Sequence, residues 1–287
     1  KMPASLSQLI EKEQISVWYS VPLALVQILQ RGALERRNMH HLRWVIFAGE
    51  LFPTKHLKAL MQIWKNARFS NAYGPTETNV CTYYNVPKNL ASDAPISIGK
   101  PWGNTEILIV NKDENPVNKG EVGELLIRAA TLMESYWGRP DLTRKVFLKI
   151  KIEDGRELIF YKTGDLVKEE IDGNFTFLGR KDRQVKTRGF RVELDEVSTF
   201  LLQNEAVEEA AVYTIVNEEQ EVLIEAAVIL KNGIATTSDE LLLHLKQCLP
   251  SYALPHKIKV VTEFPRTATG KVDLKIMSSS DYIGQAA

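Results

Sequence analysis

ISVWYS (15–20), RWVIFA (43–48) and RFSNAY (68–73) are three short apolar runs, separated by stretches of helical spacing from Pro22 to Gln30 and from Thr54 to Trp64. Short strands alternating with helices predict a parallel sheet with crossover helices, and nothing before Ile15 reads as a strand. In such a sheet ligands collect beyond the carboxyl ends of the strands, here Tyr19-Ser20, Ala48-Gly49-Glu50 and Asn71-Ala72-Tyr73-Gly74. Gly49 and Gly74 stand just past strands, where a missing Cβ lets backbone N–H groups approach an anion, so both are candidate cofactor-binding positions.

Beyond residue 79 the pattern changes to VCTYYNV (80–86), TEILIV (105–110), GELLIRA (123–129), ELIFYKT (157–163) and FTFLG (175–179), broken by the turn signals Asp113-Glu114-Asn115-Pro116, Asp154-Gly155 and Asp172-Gly173. This predicts a small antiparallel β subdomain. A charged segment follows, then a helix near 193–203, strands EAAVYTIV (209–216) and VLIEAAVIL (222–230), a helix from Asp239 to Leu249 and a strand KIKVV (257–261). These make an α+β domain of about 100 residues with its boundary near Gly179 to Arg183.

The 287 residues carry 36 Lys plus Arg against 36 Asp plus Glu, and 44% are hydrophobic. That balance excludes disorder and a global basic field for nucleic acid. Two cysteines, Cys81 and Cys248, give no disulfide framework, so the expected address is the cytoplasm. The longest apolar stretch, Ile15 to Leu29, is broken by Ser20, Pro22 and Gln27 and is too short to cross a membrane. The run from Arg180 to Arg191 has six basic residues and one Asp, but Phe190 is its only aromatic, which favours a solvated face over a nucleic-acid groove.

Four blocks carry chemistry: NAYGPTET (71–78), YKTGD (161–165), GRKDRQVKTRGFRVELDEV (179–197) and TGKVD (269–273). Taken singly each has a plain structural reading. Gly74-Pro75 is a turn, Asp165 a turn residue after Gly164, Phe177 a core side chain and Lys271 a surface lysine. In this order and spacing, with GELLIRAATLMESYWGRPDLT (123–143) between them, they resemble the adenylate-forming superfamily: acyl-CoA ligases, luciferase-like enzymes and the adenylation domains of nonribosomal peptide synthetases. Ala129, Ala130 and Ser135 stand where glycines are common in that family.

The resemblance implies ATP and Mg²⁺ as cofactors. By it, Asn71 and Tyr73 contact adenine, Thr76 an α-phosphate oxygen, Glu77 the Mg²⁺, Asp165 both ribose hydroxyls and Arg180 the ribose, while Phe177 lies against the nucleotide. Asp182 matches the hinge, Gly189 the loop that approaches a pantetheine arm, and Lys271 the catalytic lysine between carboxylate and α-phosphate. The implied fold is α/β plus α+β: residues 1–95 the remainder of a large α/β subdomain with a parallel sheet, 96–178 a β subdomain, 179–183 the hinge, and 184–287 a mobile C-terminal α+β domain. The family's Ser/Thr/Gly-rich phosphate loop and the segment bearing the amino-group aspartate have no counterpart here, so this stretch alone is expected to be inactive.

The acyl pocket is implied at Tyr19, Ile46, Ala48, Ala72, Val80 and Cys81, a set that favours a modest apolar side chain; the same residues also read as strand core. Their order resembles stand-alone prolyl adenylating enzymes, with Tyr19 expected as a buried phenol that narrows the pocket. The expected function is ATP-dependent activation of an amino acid, proline first, as aminoacyl-AMP and its transfer to the phosphopantetheine thiol of a carrier protein, with no nucleic-acid or membrane partner. The alternatives are an acyl-CoA ligase for another small acid and a non-catalytic nucleotide-binding or carrier-docking remnant.

Overall fold

The computed structural model describes residues 2–90, 95–151, 155–267 and 272–279, which divide into two compact units, Lys1–Asp182 and Arg183–Ala287. A helix comes first. α1 (Pro3–Lys12) precedes β1 (Val17–Ser20), α2 (Pro22–Arg31), β2 (Trp44–Ala48), α3 (Thr54–Ile63) and β3 (Arg68–Tyr73). Pro3 and Pro22 each sit in a first helical turn, where the missing N–H costs nothing. The signal for α1 is the apolar spacing Leu6, Leu9, Ile10, and its Ser7 Oγ donates to the Gly32 carbonyl at 2.5 Å, tying it to the end of α2.

β1, β2 and β3 pair in parallel in that order. Both crossovers step the same way, so their right-handedness puts α2 and α3 on one face of the sheet. Leu25, Ile28, Leu57 and Leu60 of the helices accordingly bury against Val45, Phe47 and Phe69 of the strands. The register places Tyr19, Ile46 and Ser70 in one row and Ala48 beside Ala72 in the next, all on the opposite face. That face is open at its edge: Tyr19 is 61% and Trp44 37% exposed. The phenol of Tyr19 is therefore not buried, because β1 is the edge strand and both crossover helices lie behind it.

The sheet is mixed rather than purely parallel. After the turn that follows β3, β4 (Thr82–Asn85) returns antiparallel to β3, and β5 (Lys100–Pro101) pairs antiparallel with β4. VCTYYNV thus joins the first sheet, since a short turn permits only an antiparallel return.

The second sheet is antiparallel throughout, in the order β10-β9-β7-β6, from β6 (Glu106–Val110), β7 (Val122–Arg128), β9 (Glu157–Glu169) and β10 (Phe175–Arg180), with β8 (Phe147–Lys151) also on β9. α4 (Pro140–Val146) connects β7 to β8. The two sheets meet where Ile98 N donates to the Phe175 carbonyl at 3.0 Å, over a core of Tyr73, Ile98, Leu125, Ile127 and Val167.

The second unit opens with a hairpin, β11 (Gln184–Thr187) and β12 (Phe190–Glu193), inside the charged segment. Its two-residue turn is Arg188-Gly189 with φ of 52° and 81°, the left-handed pair that a tight hairpin needs. α5 (Leu194–Leu202), β13 (Val207–Val216), β14 (Val222–Leu230), α6 (Ser238–Cys248), β15 (Lys257–Val260) and α7 (Leu274–Met277) follow. β13 and β14 are antiparallel, and α6 is the crossover that lets β15 lie parallel to β14. The expected α/β plus α+β class holds in these two units. Among the described residues no helix is long and apolar enough to cross a membrane.

Leu245 of α6 is fully buried in the core of the second unit, and Thr237 caps the same helix in a reciprocal box with Glu240. Leu245→Ala should cost about 2–5 kcal/mol and Thr237→Ala about 1 kcal/mol of that unit's stability. Urea unfolding followed by a probe in the second unit checks both the order and the size.

Candidate functional site

The site grows from two irregularities in the second sheet. Where β9 runs along β7, Glu124 faces Leu166 but Leu126 faces Lys162, so Thr163, Gly164 and Asp165 together oppose the single residue Leu125. The Thr163 hydroxyl closes this bulge, donating to the Leu125 carbonyl at 2.8 Å and accepting from Asp165 N at 3.0 Å. On the other side β10 has its own bulge at Leu178, which moves Arg180 into register with Asp165. Bulges of this kind re-aim side chains, and here they aim a carboxylate and a guanidinium at each other.

Asp165 is 3% exposed. Its Oδ1 accepts from Arg180 Nη1 at 2.5 Å and its Oδ2 from the Tyr73 hydroxyl at the end of β3. Arg180 spans onward, its Nε and Nη2 each 2.6 Å from the two oxygens of Asp182. Burial alone would lower the Arg180 pKa, but the chelate to Asp182 and the charge of Asp165 raise it above its ordinary value. Burial and then the neighbouring Asp165 charge push the Tyr73 phenol well up, so it stays a neutral donor. Gly164, at φ 73°, is required: a Cβ there would lie 2.7 Å from Arg180 Nη2 and 2.9 Å from Asp182 Oδ2. Its N–H and Lys181 Nζ share the carboxylate of Glu124, each at 3.1 Å.

The turn after β3 is equally tight. A Cβ on Gly74 would sit 1.7 Å from the Asn79 carbonyl oxygen, Thr78 N donates to Pro75 O at 3.1 Å, and Asn79 adopts a left-handed φ of 57°. The turn separates two neighbours. Thr76 is exposed, whereas Glu77 is 7% exposed and turns in to accept from the Tyr136 hydroxyl at 2.6 Å.

The expected site residues fall into groups. Tyr73, Asp165, Arg180 and Asp182 form one hydrogen-bonded chain, with half-buried Phe177 packed on the core that contains Tyr73. Gly74, Thr76 and Glu77 occupy the adjoining turn. Asn71 is buried on β3 and donates to the Ser97 carbonyl at 2.8 Å. Gly49 follows β2 at φ 98°, and a Cβ there would meet Val21 Cγ1 at 3.8 Å, an ordinary contact. Tyr19, Ile46, Ala48 and Ala72 share the open face of the first sheet, while Val80 follows the turn. Cys81 is fully buried among Tyr73 and Ile98, its Sγ 2.8 Å from the Thr78 hydroxyl. Gly189 lies in the exposed hairpin turn of the second unit. Lys271 lies outside the described residues.

Three of the six basic residues of the run are paired with carboxylates: Arg180 with Asp165 and Asp182, Lys181 with Glu124, Arg183 with Asp195. Two polar partners were not read from the sequence, Glu124 and Tyr136. Both lie in the 123–143 block, and only the fold shows what they touch.

The chain matches two families in succession, AMP-binding enzyme over residues 1–137 and AMP-binding enzyme C-terminal domain over residues 196–271. The L-proline--[L-prolyl-carrier protein] ligase of Pseudomonas fluorescens is 35% identical over 275 residues, which are 94% of this chain and 51% of that protein. Tyrocidine synthase 1 of Brevibacillus parabrevis is 39% identical over 242 residues, 84% of this chain and 22% of that protein. The crystal structure of the Vibrio cholerae adenylation domain AlmE in complex with glycyl-adenosine-5'-phosphate superimposes with a TM-score of 0.82 at 27% identity, covering 96% of this chain and 51% of that one. The chain spans about half the length of the prolyl ligase it matches.

Burial pushes the Cys81 thiol up to about 11, whereas Cys248 is exposed. At pH 8 about one Cys81 in a thousand is then ionised, and its sulfur is also out of reach. Iodoacetamide should label Cys248 in the folded protein and spare Cys81 until denaturant is added; peptide mass mapping reads the difference.

Proposed function

The chain belongs to the AMP-binding enzymes of the adenylate-forming superfamily, and on that premise we propose that the complete protein joins an amino acid to AMP and passes it to a carrier-protein thiol. The observation that carries this reading is the chain of contacts Tyr73–Asp165–Arg180–Asp182, which brings the YGPTE, TGD and GRKD blocks into one site. A nucleotide is the ligand such a site suits. The Asp165 carboxylate offers acceptors to ribose hydroxyls, and the Arg180 guanidinium stands against it as counter-charge. Thr76 is exposed, and its hydroxyl is proposed to donate to a phosphate oxygen.

Among the described residues no cluster of three or more His, Cys, Asp or Glu could hold a metal by itself. A lone carboxylate suits Mg²⁺, which takes its remaining ligands from substrate oxygens and water, so Glu77 would hold it. Bound there, Mg²⁺ would neutralise phosphate charge. Lys271 is proposed to supply the cation that offsets charge as the acyl oxygen approaches the α-phosphate. Asp182, the last residue of the first unit, is proposed as the hinge, and Gly189 as part of the thiol-transfer loop.

Proline is the proposed amino acid. The support is that Ile46, Ala48 and Ala72, all apolar, share one sheet face with Tyr19, together with the likeness to a prolyl-carrier protein ligase. ATP–pyrophosphate exchange with the complete protein and a panel of acids tests the whole reading. Proline should give the highest rate; preference for an aromatic or charged amino acid would overturn the pocket assignment, exchange with non-amino acids alone would favour an acyl-CoA ligase, and no exchange at all a non-catalytic remnant.

Lys271→Ala should slow adenylate formation a hundred- to thousandfold, about 3 to 4 kcal/mol in the barrier, while thioester formation from supplied aminoacyl-AMP continues. Measuring the two half-reactions separately decides it. Equal losses in both would remove Lys271 from its role.

A further inference from the structure

Residues 129–139 form a strap between β7 and α4 that closes over the turn after β3. It is tied there three times. The Thr131 hydroxyl donates to the Thr78 carbonyl at 2.5 Å, Met133 N donates to the Glu77 carbonyl at 2.7 Å, and the Tyr136 hydroxyl donates to Glu77 Oε1 at 2.6 Å. The first two hold backbone; only the third reaches the carboxylate. Tyr136 is itself held from both ends. Its N–H donates to the Thr143 hydroxyl at 3.0 Å, that hydroxyl donates to the Arg139 carbonyl at 3.0 Å, and the phenol also meets the hydroxyl of buried Tyr161.

We propose that Tyr136 is a positioning residue for the cation site: its hydroxyl fixes the orientation of the Glu77 carboxylate, so that the carboxylate meets a divalent cation and nucleotide without first being ordered. This rests on the reading of Glu77 as the Mg²⁺ ligand. A glutamate has three rotatable bonds, and a carboxylate at the tip of such a chain sweeps a wide arc unless something holds it. Tyr136 arrives from 59 residues away in sequence and supplies a short hydrogen bond to one oxygen, the arrangement by which outer partners orient metal-binding carboxylates.

Because the other two ties are independent of the phenol, Tyr136→Phe should leave the strap docked while removing the phenol's hold on the carboxylate and its contact with the Tyr161 hydroxyl. The test titrates Mn²⁺ into the complete protein saturated with ATP, read by electron paramagnetic resonance, beside the Mg²⁺ dependence of pyrophosphate exchange. Tyr136→Phe should weaken Mn²⁺ binding about 10- to 100-fold and raise the Mg²⁺ concentration for half-maximal exchange to match, with the rate at saturating Mg²⁺ recovering and ATP binding in EDTA unchanged. Thr131→Ala, which cuts a backbone tie alone, should leave Mn²⁺ affinity as in the parent.

Glu77→Gln separates this proposal from the one beneath it. If Glu77→Gln binds Mn²⁺ like the parent, Glu77 is not the ligand and both readings fall. If Glu77→Gln weakens binding and Tyr136→Phe does not, the positioning role alone is overturned. Equal weakening by Thr131→Ala and Tyr136→Phe would make the strap a structural brace and overturn it as well.

Discussion

A carboxylate buried as deeply as Asp165 has to be neutralised where it stands, and the groups that do this come from separate parts of the chain. Tyr73 ends the third strand of the first sheet, and Arg180 ends the last strand of the second. Removing Arg180 would take the counter-charge from a buried carboxylate, a loss of the size that breaks small proteins, and removing Tyr73 would take the donor from its Oδ2. The surrounding irregularities follow from the same need. The β9 bulge turns Asp165 inward, the β10 bulge advances Arg180 by one residue to meet it, and Gly164 leaves space for the guanidinium and for Asp182. The carboxylate therefore does more than add stability: its ion pair joins β9 to β10 across their shifted register, and its hydrogen bond from Tyr73 ties the first sheet to the second.

Much of this architecture was legible in the sequence, for reasons that can be located. The parallel part of the first sheet announced itself because both crossover helices carry continuous apolar stripes, and helix period differs clearly from strand period. The alignment of the β3 turn with the TGD segment came through the resemblance, since 92 residues separate Tyr73 from Asp165 and no local pattern links them. What stayed hidden is what depends on pairing. A bulge is a mismatch between two strands, so neither strand shows it alone. Tyr136 reads as one aromatic in a loop until the fold sets it against Glu77. The hairpin of the second unit lay inside a run read for its charge and for the resemblance but not for strands, although Arg188-Gly189 is a turn signal.

Tyr19 shows how a face can be read correctly and an environment wrongly. Its row on the sheet, with Ile46, follows from alternation along β1 and β2, and the residues proposed for the pocket that lie on these strands do share a face. Burial is another matter. It depends on which side the crossovers pass, and two right-handed crossovers in one direction protect only the side opposite Tyr19. Cys81 is the reverse case, since it lies in the core between the two sheets of the first unit and its thiol bonds to Thr78 within the turn. A side chain so placed sets the shape of the turn from behind.

Charge gives the last constraint on what the site can hold. Around the Asp165 centre the described chain sets the carboxylates Glu124, Asp165 and Asp182 against Arg180 and Lys181, and the adjoining turn adds Glu77. Arg180 and Lys181 are already paired with these carboxylates, so these two cations offer no surplus positive charge with which to receive phosphates. From the four carboxylates themselves a polyanion would meet repulsion, by Coulomb's law strongest where water is excluded. The sugar of a nucleotide raises no such difficulty, because ribose hydroxyls are donors and an acidic centre is a good acceptor. The geometry thus divides the proposed ligand in two. The carboxylate centre suits the ribose, and the phosphates need positive charge brought from elsewhere, which is the part assigned to the divalent cation at Glu77 and to Lys271.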